Sequence, residues 1–285
     1  MNTTRSLEET VAQLDSLPAM PEIAQEILAL PLDTPEGERD LLALIGTDPQ
    51  ISAKVIGLAN APMFGTTRQV VSISDAAIRL GLNRIKTLAL GIAVTSTMTR
   101  RPAGVFNAHE LWLHSIATAL TMRTIAHAMP ASGRPNDDEL FFTGLLHDIG
   151  YMVLDQIDPQ LSDAFHQRIA AEPERAAAAI EAEMLALNHG ELGAALARHW
   201  NLPEHIITTL RYHHHPDDPN ATAGQPLVTL VNLAEKLLPT FGIDGSPSQE
   251  IIDAEWQALD IDPAAAGDIV AEAKEHASQV AASFG

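Results

Sequence analysis

Along almost the whole chain apolar residues recur every three to four positions, and most of these runs are bracketed by residues that start or stop helices. Leu7, Val11, Leu14 and Leu17 share one such stripe, which Pro18 ends. Pro21 opens a second helix through Ile23, Ile27 and Leu30, and the polar residues 32–38 read as a loop. Asp48 followed by Pro49 is an N-cap and first-turn pair opening a helix from Ile51 to Ala59, with Asn60 and Pro62 as its stop. Ser74 opens a short helix that Gly81 closes, and Asn83 caps the next, which runs to about Thr97. Helices are then expected over 108–129, from Asp137 to about 147–150, and over 159–171, 173–187, 191–200, 203–213 and 226–238. Two more follow in the tail, at 247–259 and 263–283.

The pattern predicts an all-α fold. With aromatics at only 4% of residues, Leu, Ala and Ile must fill the core, which favours packed helices over a sheet. Residues 99–107, containing Arg100-Arg101-Pro102 and Gly104, read as the boundary between two lobes. The chain then divides into an N-terminal helical lobe (1–100), a second helical bundle (101–240) and a helical extension packed on that bundle (241–285).

Charge narrows the function. With 17 basic against 37 acidic residues the formal net charge is −20, which opposes the Lys- and Arg-driven attraction of nucleic acid, so none is expected as a partner. The absence of cysteine excludes disulfides and thiolate metal ligands and fits a reducing compartment. The N-terminal residues lack the apolar core of a signal peptide, and the apolar stretch at 88–94 is too short to span a bilayer. A cytoplasmic protein that does not engage the membrane is expected. Arg79, Arg84 and Lys86, around Gly81, read either as a partner-facing patch or as a solvated helix face.

Metal-ligating residue types gather at five places in the second half: Glu110 with His114, His147 with Asp148, His189, His213 with His214, and Glu235. Glu110 and His114 are four apart and share a helix face. His147 and Asp148 are adjacent at the end of an apolar run, just before Gly150, where both side chains can turn into one pocket. Imidazoles with carboxylates suit one or two ions of Fe, Mn, Zn or Ni. Each position alone also has a plain account: His189 as a histidine at a helix end, His213 to His215 as a polar terminus, Glu110 as a first-turn acid, Glu235 as a surface acid.

Eight segments in order resemble the HDOD family, the HD-related output domain of bacterial signalling. They are Leu17-Pro18-Ala19-Met20-Pro21, residues 48–55, Leu58-Ala59-Asn60-Ala61 with Gly65, residues 72–81, residues 144–150, His189-Gly190-Glu191-Leu192-Gly193, Trp200-Asn201-Leu202-Pro203 and Tyr212-His213-His214-His215-Pro216. The resemblance implies a two-lobed helical fold whose second lobe is a degenerate HD bundle. In related HD phosphohydrolases, including the HD-GYP phosphodiesterases, such residues hold a metal cluster. Carried onto this chain, the ligands are Glu110, His114, His147, Asp148, His189, His213 and His214, with Glu235 standing where Asp is usual. HD-GYP enzymes carry a Lys after the His-Asp-Ile-Gly segment, where this chain has Tyr151, and a Gly-Tyr-Pro element where this chain has His215-Pro216-Asp217. No basic cluster near the motifs compensates for the acidic surroundings. The resemblance therefore implies a signal-transduction protein acting through contacts with other signalling proteins, without phosphodiesterase activity. The competing expectation is a metal-dependent phosphohydrolase.

Overall fold

The computed structural model describes residue 17 and residues 19–64, 68–98, 104–175, 177–185, 187–238 and 250–284. The expected helix at Leu7 to Leu17 lies almost wholly outside them, as does most of the expected lobe boundary. Among the described residues all regular structure is helical. The first five helices are α1 (Glu22–Ala29), α2 (Pro35–Thr47), α3 (Pro49–Ala59), α4 (Ile73–Leu80) and α5 (Leu82–Met98). Then come α6 (Ala108–Ala128), α7 (Asp137–Leu146), α8 (Ile149–Ile157), α9 (Pro159–Ala171) and α10 (Ala177–Met184). The last are α11 (His189–His199), α12 (Glu204–Tyr212), α13 (Leu227–Leu237), α14 (Asp253–Gln257) and α15 (Ala266–Phe284).

Side-chain caps set many of the helix starts. Asp48 Oδ1 accepts from the backbone N–H groups of Gln50 and Ile51 at 2.8 and 3.0 Å, with Pro49 first in the helix, as expected. The same device one helix earlier overturns the loop expected at 32–38: Thr34 Oγ1 accepts from Gly37 N, Pro35 follows, and α2 begins there. Ser72 rather than Ser74 caps α4, accepting from Asp75 N at 3.0 Å. Asn83 caps nothing, because α5 already runs from Leu82. Gly81, at φ +87°, makes the turn between α4 and α5 in a conformation that a side chain would strain.

The largest correction lies at residues 149–157, which form a helix, α8, where the sequence suggested only a helix end near Gly150. Gly150 lies inside α8 and lets it approach α11: a Cβ there would lie 1.8 Å from the carbonyl oxygen of His189. Helix α6 is the spine of the second half, buried on nearly every side from Leu111 to Ala126 and packed against α7, α13 and α15. Helix α5 packs on α1, α3 and α4 and also on α7 and α8, so one buried cluster runs from Leu17 to Val280. No single helix among the described residues is long and apolar enough to cross a membrane.

The basic residues near Gly81 turn inward rather than forming a patch or a solvated face. Lys86 Nζ donates to the carbonyls of Leu28 and Leu30 at 3.1 and 2.7 Å. Arg79 donates to the carbonyls of Ala59 and Arg68. Arg84 Nη2 and Arg123 Nε reach Asp137 Oδ2 at 2.8 and 2.6 Å, while His127 Nε2 meets Asp137 Oδ1 at 3.0 Å. Burial alone would raise the Asp137 carboxyl, but hydrogen bonds from Arg123 and His127 hold it below the ordinary range. A depressed folded-state pKa means that this stabilisation is present above the unfolded value, about 3.9, and is lost as pH falls through the folded one. Asp137→Asn is expected to destabilise by about 1 kcal/mol at neutral pH and by almost nothing at pH 2, read by urea unfolding. An equal loss at both pH values would show that charge is not the cause.

Candidate metal centre

Six helices deliver their ends or inner faces to one point. His114 projects from α6, and His147 and Asp148 form the two-residue break between α7 and α8. His189 is the first residue of α11, after the N-cap Asn188. His213 ends α12 with His214 beside it, and Glu235 lies in the last turn of α13. The segments that carry them are apolar, so the fold buries these polar groups against one another.

Asp148 stands between two sets of imidazoles. Its Oδ2 lies 3.2 Å from His147 Nε2 and 3.5 Å from His114 Nε2. Its Oδ1 lies 3.3 Å from His189 Nε2 and 3.6 Å from His213 Nε2. Glu235 also touches both sides, with Oε1 3.2 Å from His147 Nε2 and Oε2 3.2 Å from His214 Nδ1. Two ligand groups result, His114-His147-Asp148-Glu235 and Asp148-His189-His213-His214, with Asp148 common to both.

The outer hydrogen bonds set the tautomers. His147 Nδ1 lies 2.8 Å from the Gly144 carbonyl and His213 Nδ1 2.8 Å from that of Leu210. His189 Nδ1 meets both Glu181 oxygens at 2.9 Å. A carbonyl only accepts, so each Nδ1 facing one carries a proton and leaves Nε2 to face inward as the atom that can take a metal. The Nε2 atoms crowd one another: those of His114 and His147 are 3.2 Å apart, those of His189 and His213 3.1 Å, and those of His189 and His214 3.0 Å. Asp148 Oδ1 is buried without a hydrogen-bond partner. A cation between such groups would satisfy them all in place of the protons that His147 and His189 otherwise hold, and the nitrogen and oxygen donors suit a transition metal.

Electrostatics point the same way. Burial opposes charge on every group here, yet the neighbouring histidines hold Asp148 and Glu235 well below the usual carboxylate range. Against the same opposition, the Asp148 and Glu235 carboxylates push His147 up to about 10, and Glu181 with Asp148 pushes His189 well above its ordinary value. His214 goes the other way, down to about 3, because burial and the adjacent imidazoles outweigh Glu235. The pocket thus carries buried negative charge and draws in positive charge.

Seven of the eight sequence-derived candidates meet here; Glu110 does not join either group. It sits in the first turn of α6, where its N–H lies 3.3 Å from the capping Asn107 Oδ1. Glu235, despite its extra carbon, reaches the histidines. Glu181 escaped the sequence reading. It is only 1% exposed, and besides His189 Nδ1 it accepts from His189 N at 3.0 Å. Its signal was an acid set on the apolar stripe Ala177, Ile180, Leu185. Glu181→Gln keeps the size and loses the charge behind the imidazole. It is expected to weaken metal affinity by roughly 10- to 100-fold with little loss of helicity, as read by chelator competition. Unchanged affinity would reduce Glu181 to a packing role.

Tyr151, at the position where HD-GYP enzymes carry Lys, stacks on His189 with ring centroids 4.3 Å apart. A cavity of about 540 Å³ beside the centre is lined by Glu181, Asn188, His189, Arg211 and His214 among others. Arg211 is a single basic group beside the motifs, short of a cluster, and its Nε is buried without a hydrogen-bond partner.

The comparisons agree with this geometry. The HDOD domain family model matches residues 17–216. The chain belongs to the HDOD domain family. It is 29% identical over 238 residues to an uncharacterized protein of Treponema pallidum (strain Nichols), covering 81% of this chain but 44% of that relative, so it spans less than half the relative's length. Among solved structures it is similar to a candidate signal transduction protein from Marinobacter aquaeolei VT8, at 25% identity and a TM-score of 0.73, over 98% of this chain and 60% of that one. It is also similar to an HDOD domain protein of unknown function from Geobacter sulfurreducens, at 25% identity and a TM-score of 0.72, over 95% and 96% of the two chains. A candidate phosphohydrolase from Shewanella amazonensis SB2B shares the fold over 100% of both chains at 21% identity and a TM-score of 0.73.

Proposed function

We propose that the protein is a cytoplasmic signal-transduction member of the HDOD family, that it acts through contacts with other proteins, and that its metal centre is structural rather than phosphodiesterolytic. One observation carries the reading: Tyr151, stacked on His189, stands where HD-GYP enzymes carry a Lys, so the centre lacks the charge that would polarise a phosphate there. Enclosure supports it, since no ligand side chain except that of His214 exceeds 9% exposure. The description of the Marinobacter protein is in keeping with a signalling role. When bound, Fe, Mn, Zn or Ni would neutralise Asp148 and Glu235 and tie six helices together.

The test pairs elemental analysis of the as-isolated protein with hydrolysis of cyclic di-GMP and bis-p-nitrophenyl phosphate. About one or two ions per chain, with no turnover above that of His147→Ala, is the expected result. Turnover that His147→Ala abolishes would overturn it. That outcome would install the second reading, a metal-dependent phosphohydrolase, which Arg211 favours: a guanidinium whose buried Nε has no hydrogen-bond partner, bordering the cavity beside the ligands, suits a phosphate ester.

A further inference from the structure

A second polar cavity lies away from the metal centre, where α3 and α5 of the first half meet the start of α6. It measures about 450 Å³ and is lined by Gln50, Lys54, Thr95, Ser96, His109 and Trp112, together with Ala108. The net charge of the chain is −20, yet among the described residues no Asp or Glu lines this cleft. Lys54 Nζ stands 4.9 Å from the centre of the Trp112 ring. No carboxylate or carbonyl hydrogen-bonds to it among the described residues. Ring contact attracts the charge but accepts none of its three N–H bonds in the way an oxygen would. Burial accordingly lowers the Lys54 pKa, with no anion nearby to restore it. Ser96 Oγ, on α5, is also buried without a hydrogen-bond partner.

The first residues of α6 complete the setting. Ala108 and His109 line the cleft where the positive end of a 21-residue helix emerges. An ammonium with no oxygen partner and an unpaired hydroxyl, around a cavity that no described Asp or Glu lines and beside the positive end of a helix dipole, form a receptor for negative oxygen. The volume lies within the range of small-molecule sites.

We propose that this cleft binds a small ligand through an oxyanion, a phosphate or a carboxylate, with Lys54 pairing to its charge and Ser96 Oγ donating a hydrogen bond. The inference stands apart from the metal centre and gives a signalling protein a chemical input on the helix that also carries His114.

Inorganic phosphate and citrate, titrated separately into the full-length protein, provide the probes, followed by tryptophan emission and calorimetry. Drawing the ammonium away from the Trp112 ring is expected to change emission saturably, and Trp112→Phe to remove that change. Lys54→Gln is expected to raise the Kd at least tenfold, and Ser96→Ala roughly threefold, the loss of a charged and of a neutral partner. Neither substitution empties a packed core, so melting temperatures near that of the parent are expected and keep the comparison valid. Binding should persist in His147→Ala, which disables the metal centre. Absence of saturable binding by either probe, or binding that Lys54→Gln leaves unchanged, would overturn the proposal. Binding lost in His147→Ala but kept in Lys54→Gln would move the anion to the metal centre and equally overturn it.

Discussion

Asp148→Ala is expected to leave purification without bound transition metal, while His214→Ala retains roughly half of the parent's content. The difference follows from the sharing of one carboxylate. Oδ1 and Oδ2 of Asp148 address different histidine pairs, so its removal takes a donor from both groups, whereas His214 belongs to one. Without Asp148, His147 and His189, which its carboxylate helps hold in the charged form, lose the anion between them. A stability loss of about 3–5 kcal/mol is expected, the scale for stripping one partner from a buried charged set. Elemental analysis and urea unfolding with and without EDTA read both effects. Full metal content in Asp148→Ala would refute the bridging role.

Gly150→Ala should be as damaging, although it touches no ligand side chain. The added methyl would lie 1.8 Å from the His189 carbonyl oxygen, with backbone rather than a flexible side-chain end in the way, so α8 and α11 must part. His189 opens α11 and would move with it. A loss of about 3 kcal/mol or more is expected, together with weakened metal binding. Gly46→Ala, in α2, is the control, because nothing stands within 4 Å of its added methyl. There a small gain in stability is expected from helix propensity. Equal unfolding midpoints for the two variants would show that the helices tolerate separation.

Much of this was legible in the sequence because helix caps are local. Asp48-Pro49 announces its helix through bonds that span two or three residues. Helix α8 was hidden because Gly150 has two meanings, chain terminator or point of close approach, and only the position of α11 decides between them. Arg79, Arg84 and Lys86 misled for a related reason: their acceptors lie 11 to 58 residues away, beyond any local pattern. At the centre, seven of the eight residues were legible because their order and chemistry stood out against apolar helices. Glu181 was not, since its importance depends on α10 lying behind His189. Glu110 shares a face with His114, but one helical turn of rise separates the two along α6.

The position of α15 bears on how the chain assembles. Thr124 Oγ1 on α6 and His276 Nδ1 on α15 meet at 3.2 Å across 152 residues, and Ala117, Leu238 and Ala277 form a small buried cluster of their own. Helix α6 can pair with α7 as soon as both exist, but this flank waits for a segment made much later. During synthesis it is an apolar strip without a cover, the kind of surface on which nascent chains stall or stick to one another. Chaperone dependence should therefore track the release of residues 266–284 from the ribosome rather than completion of the ligand set at Glu235.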